Sequence, residues 1–427
     1  MKHRTRLVLA VVATFVATGV GWLLVLNLTL GNKQIDDRIE SAYSVAEPQF
    51  VRVMGALLGP PLTAGNRVDA LQNGEQIFPA MLEAIRSARQ SITFETYIYW
   101  SGTIGREFAE ALVERSRAGV RVHVMLDWFG SDGIDELNLD LMRQAGIEVR
   151  RYNPPRLASL ARMNNRTHRK LLVVDGRIGF TGGVGIADPW RGHAQDPEHW
   201  RDNHYRVVGP AVTQLQAAFL DNWMALTGHV LHGPAYLPPV EPDGPHAAQV
   251  FTSAPGGGAE SMQFMFLMSI AAARSTVRLS MAYFVPDNVA VNTIVAARQR
   301  GVRVQMIVPG AHMDRAILRR ASRFEWGPLL RAGVEIHEYQ PTMYHCKVMI
   351  VDDLWTSVGS TNFDSRSFSV NDEANLNVHD GTFAGAQTAV FEADLQRSRR
   401  ITLAEWESRP WSDKLLDALA GTLSSQL

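Results

Sequence analysis

Histidine and lysine recur in this chain at a spacing that few structural roles require. The stretch Thr-His168-Arg-Lys170-Leu-Leu-Val-Val-Asp175 leads to Gly182-Gly183, and Tyr-His345-Cys-Lys347-Val-Met-Ile-Val-Asp352 leads to Gly359-Ser360, so His, Lys, Asp and glycine keep one register in both copies. A neutral imidazole is a nucleophile or general base and a protonated one a general acid; a reference pKa of about 6.5 lets both forms exist near neutral pH. The lysines bring positive charge to a centre that gathers negative charge, without a metal. Two imidazoles allow a transfer to be split. One ring attacks and carries the group, while the other protonates the leaving oxygen and then takes a proton from the acceptor. A lone strand histidine is usually structural, but that explanation fits poorly when a matched lysine and a second copy accompany it.

Both motifs are apolar and β-branched around their polar residues, which predicts buried strands ending in hairpin turns at Asp175-Gly176 and Asp352-Asp353. On a strand, His168 and Lys170 share a face, as do His345 and Lys347, while the aspartates have the opposite parity and suit orienting roles better than attack. The flanks repeat as well: Gly119-Val-Arg-Val matches Gly301-Val-Arg-Val, and Ala-Gly146-Ile-Glu-Val matches Ala-Gly333-Val-Glu-Ile. Strands over 91–99, 120–126 and 147–152 alternate with helices over 105–117 and 137–144, which predicts an α/β sandwich with a parallel or mixed sheet, built twice with pseudo-twofold symmetry. The units are expected at residues 70–232 and 249–427, joined by a Pro-rich connection at 233–248.

The doubled His-x-Lys-x4-Asp motif resembles the phospholipase D superfamily. Within it, Arg166-x-His168-Arg-Lys170, Tyr283-Phe284-Val285-Pro286-Asp287, Trp200-Arg201-Asp202-x-His204 and Gly209-Pro210-Ala211-Val212 are similar to bacterial cardiolipin synthases, and the likeness runs over roughly residues 70–427. The resemblance implies a catalytic set of His168, Lys170, Asp175, His345, Lys347 and Asp352, with His168 as nucleophile and His345 as acid. The near-symmetry of the motifs leaves that order open when only the residues are read. Lys170, Lys347 and Asn362 then contact the phosphoryl oxygens. Where the family usually has a second Asn, this chain has Gly185. Asp202 and Glu373 follow the motifs in similar contexts and are candidates to fix the imidazole tautomers. Glu95 resembles a family site position and is equally suited to pairing with a core arginine. The implied reaction moves a phosphatidyl group between two phosphatidylglycerol molecules, giving cardiolipin and glycerol without a cofactor. The alternative is a phosphodiesterase, acting on lipid or nucleic acid, that uses water. Two complete motifs argue against a catalytically silent lipid binder.

Composition narrows the setting. Lys and Arg total 42 against 43 for Asp and Glu, for a net charge of −1 over 427 residues, which disfavours a general nucleic-acid binder. The lone Cys346 forbids an intrachain disulfide and faces away from His345 and Lys347, as core packing requires. His193, His199 and His204 lie in one loop without a metal-ligand spacing, so no metal is expected. Lys2, Arg4 and Arg6 precede an uncharged stretch over 7–30, long enough to cross a bilayer as an uncleaved helix. A cleaved signal peptide is the competing reading, but the run exceeds a typical h-region and no clean small-x-small site follows it. Basic residues at that end favour a cytoplasmic N-terminus and a catalytic body outside the bacterial inner membrane, although Lys33 and Arg38 reduce the asymmetry. Residues 31–69 read as a linker. Arg156, Arg162 and Arg166, and the stripe Arg315, Arg319 and Arg323, could bind anionic headgroups or simply be solvated. Leu415, Leu416, Leu419 and Leu423 recur at helical spacing and are expected to pack on the domain, with membrane contact as the alternative.

Overall fold

The computed structural model describes residues 2–29, 37–155, 164–255 and 260–422. Lys33, Arg156, Arg162 and Leu423 lie outside the described residues. Helices α1 (Lys2–Thr29) and α2 (Pro48–Leu57) come first. The first repeat runs β1 (Thr63–Gln72), α3 (Asn73–Ser87), β2 (Ser91–Thr96), α4 (Thr103–Arg117), β3 (Arg121–Asp127), α5 (Glu136–Gln144), β4 (Glu148–Tyr152), β5 (Arg166–Thr167), β6 (Leu171–Val174), β7 (Ile178–Gly182), β8 (Asn203–Val208) and α6 (Ala211–Thr227). The second runs β9 (His246–Ser253), α7 (Glu260–Ala272), β10 (Thr276–Met281), β11 (Phe284–Val285), α8 (Asn288–Gln299), β12 (Arg303–Pro309), α9 (Ala316–Arg331), β13 (Glu335–Tyr339), β14 (Lys347–Val351), β15 (Trp355–Gly359), β16 (Phe363–Asp364), α10 (Ser365–Ser369), β17 (Asn371–His379) and α11 (Gly381–Gln396). It closes with β18 (Ser398–Ile401), α12 (Leu403–Glu407) and α13 (Trp411–Gly421).

Duplication is visible in the pairing. The order β4-β3-β2-β6-β7-β8-β1 in one half recurs as β13-β12-β10-β14-β15-β17-β9 in the other, and β1 joins β9 antiparallel between them. Strands β2, β3 and β4 are mutually parallel because helices cross over between them, whereas β6 and β7 form the antiparallel motif hairpin. The second hairpin, β14 with β15, has the same form. Asp175 and Gly176 have φ of 53° and 62°, and Asp352 and Asp353 have 52° and 51°. This left-handed pair makes the two-residue turn that matches strand twist.

Alternation along the motif strands divides the core. Leu172 and Val174 face α3 and α4, while Leu171 and Val173 face an inner layer. In β14, Met349 and Val351 face outward and Val348 and Ile350 face that same inner layer. The inner core holds α6 and α11 residues such as Phe219, Trp223, Phe383 and Phe391 together with strands of both halves, so the repeats share one hydrophobic interior.

Two expectations are corrected. The linker over 31–69 contains α2 and most of β1, and Val45, Phe50 and Met54 are buried in the second repeat's outer core. Phe50 meets Trp355 edge-on at 5.0 Å, and Val45 accepts a hydrogen bond from His379. Helix α13 also departs from its predicted packing. Leu415, Leu416 and Leu419 are exposed, while Asp417, Ala420 and Gly421 are buried. Asp417 reaches Arg320 at 3.3 Å and Arg409 at 3.5 Å, and these ion pairs turn the helix's small and acidic side inward. Among the described residues no helix is long and apolar enough to cross a membrane, and the expected span over 7–30 includes side chains outside them.

Truncating Phe50 opens a cavity beneath Trp355 in a segment that reads as linker. Phe50→Ala is expected to destabilise the protein by about 3–5 kcal/mol, measured by chemical denaturation. A loss below 1 kcal/mol would show that the segment rests on the surface.

Candidate active site

Each motif histidine stands just before its strand, because the ladder of β6 begins at Leu171 and that of β14 at Lys347. The histidine backbones bond to the other repeat instead. The His168 amide donates to the Asp372 carbonyl at 2.9 Å, and the His345 amide donates to the Arg201 carbonyl at 2.8 Å. The side chains repeat the exchange. His168 Nδ1 lies 2.9 and 3.0 Å from the Glu373 carboxylate of the second repeat, and His345 Nδ1 lies 2.7 Å from Asp202 of the first. An Nδ1 held by a carboxylate carries the proton, so Nε2 is the nitrogen presented to the cavity.

His168, Lys170, His345 and Asn362 line one cavity of about 560 Å³. The Lys170 and Lys347 ammonium groups each donate to the carbonyl of their own motif histidine at 2.7 Å, which pins them beside the rings. Aromatic rings wall the site: Tyr97 lies 5.0 Å from His168, and Trp190, Trp200 and Tyr283 lie 5.3, 5.5 and 6.4 Å from His345.

Burial sets the electrostatics. It pushes both imidazoles below the ordinary histidine value, His168 the further, with Lys170 adding to the effect on His168 and Lys347 on His345. Lys170 falls to about 7 and Lys347 also falls, again through burial. The two carboxylates differ. Burial lifts Glu373 to about 7, whereas for Asp202 the same penalty is outweighed by His345, Lys347 and the Trp190 indole, which hold it below the usual carboxylate range.

The supporting contacts explain residues that interrupt the repeat. The Ser360 hydroxyl donates to Glu373 at 2.5 Å, while the matching Gly183 has no space for a side chain: a Cβ there would sit 2.3 Å from Asp202. The Trp190 indole, 2.9 Å from Asp202, takes over as donor. At Gly185, the counterpart of Asn362, a Cβ would come within 2.8 Å of Ile98 and 3.1 Å of Trp190, so apolar side chains fill the place of the missing amide.

Not every predicted residue converges on the cavity. Asp175 accepts from the amides of Arg89, Gln90 and Ser91, and Asp352 accepts from those of Arg274, Ser275 and Thr276. Both aspartates sit at the far ends of their hairpins and clamp the entries to β2 and β10, which corrects their inclusion with the histidines and lysines. Glu95 is buried behind the site, accepting from Thr167 and Asn222. Arg169 points away from the cavity into the β-sheet interior and donates to the Glu373, Ala218 and Ser253 carbonyls. Of the basic stripe, Arg315 lines the cavity, as does Arg166, whereas Arg319 pairs with Glu338 and Arg323 lies in a separate cleft. His199 bonds Asp196, and among the described residues no group of three His, Cys, Asp or Glu side chains is arranged to hold a metal. Trp190 was missed by sequence reasoning. It has no counterpart in the second motif, where Ser367 stands, and its role depends on a loop folding back onto Asp202.

Comparison with known proteins agrees with this geometry. The family model described as "Cardiolipin synthase, PLD-like domain" matches residues 81–191 and 266–395. A cardiolipin synthase of a Geobacillus species is 33% identical over 86% of this chain and 74% of its own length. Cardiolipin synthase A of Pseudomonas syringae is 33% identical over 83% of this chain and 74% of its own. The phosphatidylserine synthase structure from Haemophilus influenzae superposes with a TM-score of 0.63 at 13% identity, covering 86% of this chain and 97% of that one, which bears on the fold alone. With both halves matched in order and the histidines of both meeting at one cavity, the chain belongs to the cardiolipin synthase family of phospholipase D-like enzymes.

Proposed function

We propose that this protein is a cardiolipin synthase that transfers a phosphatidyl group from one phosphatidylglycerol to another. The observation that carries the reading is the pair of imidazoles, each held by a carboxylate of the opposite repeat, at one cavity that also holds Lys170 and Asn362. In the first half-reaction, neutral His168 attacks phosphorus through Nε2. The bond from phosphorus to the glycerol oxygen breaks, His345 gives that oxygen its proton, and glycerol leaves. In the second, the terminal hydroxyl of another phosphatidylglycerol gives its proton to His345 and attacks phosphorus. The phosphorus–nitrogen bond breaks and both rings return to their starting states. In this reading Lys170 and Asn362 at the cavity, with Lys347 beside the His345 ring, stabilise the crowded, negatively charged phosphorus centre.

The roles of the two rings follow from their partners. The ionised Asp202 favours a proton on His345, the acid, while Glu373, lifted to about 7, leaves His168 neutral and nucleophilic. The aromatic wall around His345 supports a lipid alcohol as acceptor over water, because it keeps the intermediate dry. Helix α1, with Val8, Phe15 and Trp22 exposed after a basic start, is proposed as the membrane anchor, with the catalytic body on the outer side.

Incubated with phosphatidylglycerol, the purified protein is expected to make cardiolipin and glycerol, read by thin-layer chromatography. His168→Ala and His345→Ala should each abolish turnover. Phosphatidic acid as the only product would instead identify a hydrolase. Trp190→Phe keeps the ring but deletes the donor to Asp202. A charged hydrogen bond of about 2 kcal/mol corresponds to roughly a thirtyfold fall in kcat, with KM little changed. Lys170 is charged below about pH 7 and neutral above it, so kcat/KM should fall as pH rises through that value. His168, held well below 6.5 by burial, is already neutral near neutral pH. His345, the acid, is also held below its ordinary value by burial, so loss of its proton adds to the fall as pH rises. A rate that climbs from pH 7 to 9 would contradict this assignment.

A further inference from the structure

The outward side of α13 has no partner among the described residues, and it adjoins the active-site cavity. Trp411, Leu415, Leu416 and Leu419 are 77, 51, 45 and 56% exposed. On α9, against which α13 packs, Ile317 and Phe324 are each 43% exposed. Ile317 also lines the catalytic cavity, and so does Leu318, on which buried Ala420 of α13 packs. Exposed apolar side chains thus stand on two helices packed together, and one of those helices reaches the rim of the cavity.

Charge is sorted across the same helix. Both acidic residues of α13 are paired with arginines: Asp417, buried, with Arg320 and Arg409, and half-exposed Asp413 with Arg320 at 3.5 Å. The exposed side keeps Lys414 among the leucines, and the nearby rim carries Arg315 and Arg366. Of the rim's carboxylates, Asp314 is taken up by the Tyr283 hydroxyl and Asp364 is buried as the cap of α10, while Asp132 stands exposed on the first repeat. Apolar side chains flanked by Lys414, Arg315 and Arg366, with the carboxylates of α13 engaged by arginines, suit a surface that is apolar inside and negative at its face. A helix meant to pack on protein would bury its leucines, and this one buries its aspartate, alanine and glycine instead.

We propose that α13 and the adjoining turn of α9 are an interfacial docking face, which lies in the headgroup layer of an anionic bilayer and holds the cavity mouth at the depth from which phospholipid enters. The proposal rests on the phospholipid substrate proposed above and names the surface that delivers it. The anchor proposed for α1 would by itself leave the body free to turn. This second contact orients it, so that a lipid reaches His168 and His345 without crossing water.

The test uses the full chain reconstituted in vesicles of phosphatidylethanolamine and phosphatidylglycerol. Cys346 is fully buried, so a cysteine introduced as Leu419→Cys takes a nitrobenzoxadiazole label selectively, and Leu137→Cys, at an exposed position on α5, is the comparison. Lipids bearing a doxyl quencher are expected to quench the label at 419 and not that at 137. A label at 419 that is quenched no more than that at 137 overturns the proposal. So does one shielded from water yet untouched by the lipid quencher, which marks a contact with a second copy. The triple variant Leu415→Ser, Leu416→Ser, Leu419→Ser is expected to lose activity on vesicles on the order of tenfold, from lost apolar insertion. Its rate on monomeric short-chain phosphatidylglycerol should be unchanged. An unaltered vesicle rate overturns the docking role. If the unmodified protein turns over neither lipid form, the reading of its function fails while the label still decides the docking.

Discussion

Everything at the site depends on an exchange of carboxylates between the two halves. Glu373 belongs to the second repeat and orients the histidine of the first, and Asp202 does the reverse. The main chain makes the same exchange, through the His168 and His345 amides. Neither repeat can set the tautomer of its own imidazole, so an isolated half would hold a histidine without its orienting partner. Joining β1 to β9 and burying both inner sheet faces around α6 and α11 is therefore what assembles the chemistry, as well as what buries the core. The histidines stand outside the strand ladders for the same reason: their backbones are committed across the interface.

That placement has an electrostatic consequence. Two lysines, two histidines and two carboxylates are removed from water in a small volume, and every one of these groups is opposed by the penalty of burying charge. The lysines and imidazoles shift down and Glu373 shifts up. A phosphodiester adds negative charge beside Lys170 and Lys347, whose charged forms burial opposes. The polar chemistry is concentrated at one place while the surrounding walls are aromatic. This division suits a reaction that must bring in a lipid alcohol and keep water out.

Duplication is visible as a symmetric frame, and packing departs from that symmetry around the two rings. Ser360 supports Glu373 with a hydroxyl, whereas Gly183 clears space for Asp202 and leaves the donor role to Trp190. Asn362 has its amide at the cavity, whereas Ile98 and Trp190 occupy the equivalent place beside Gly185. Behind the rings the charges are rearranged too. Buried Arg169 spans three carbonyls and reaches Asp221 at 3.6 Å in one half, while Cys346 stands there in the other and Arg201 pairs with buried Asp394 at 2.9 Å. Each difference is small in sequence. Together they give one imidazole a firmly ionised partner and the other a weaker one.

The sequence by itself determined the repeat, its strand-and-helix order, the hairpin turns and the identity of the two His-Lys pairs. Those follow from local periodicity and from side-chain chemistry at fixed spacing, which act over a few residues and are written along the chain. Asp202 and Glu373 could also be nominated by their matched contexts, but not assigned, because nothing linear says that each would serve the opposite half. Only the tertiary structure decided that crossing, the withdrawal of Asp175 and Asp352 to clamp β2 and β10, and the docking of Phe50 beneath Trp355. It also decided which face of α13 is buried, since helical spacing marks an apolar stripe but Asp417 between Arg320 and Arg409 sets its direction. Contacts made between residues hundreds of positions apart depend on how surfaces fit once the chain is closed, and no spacing along the chain encodes that fit.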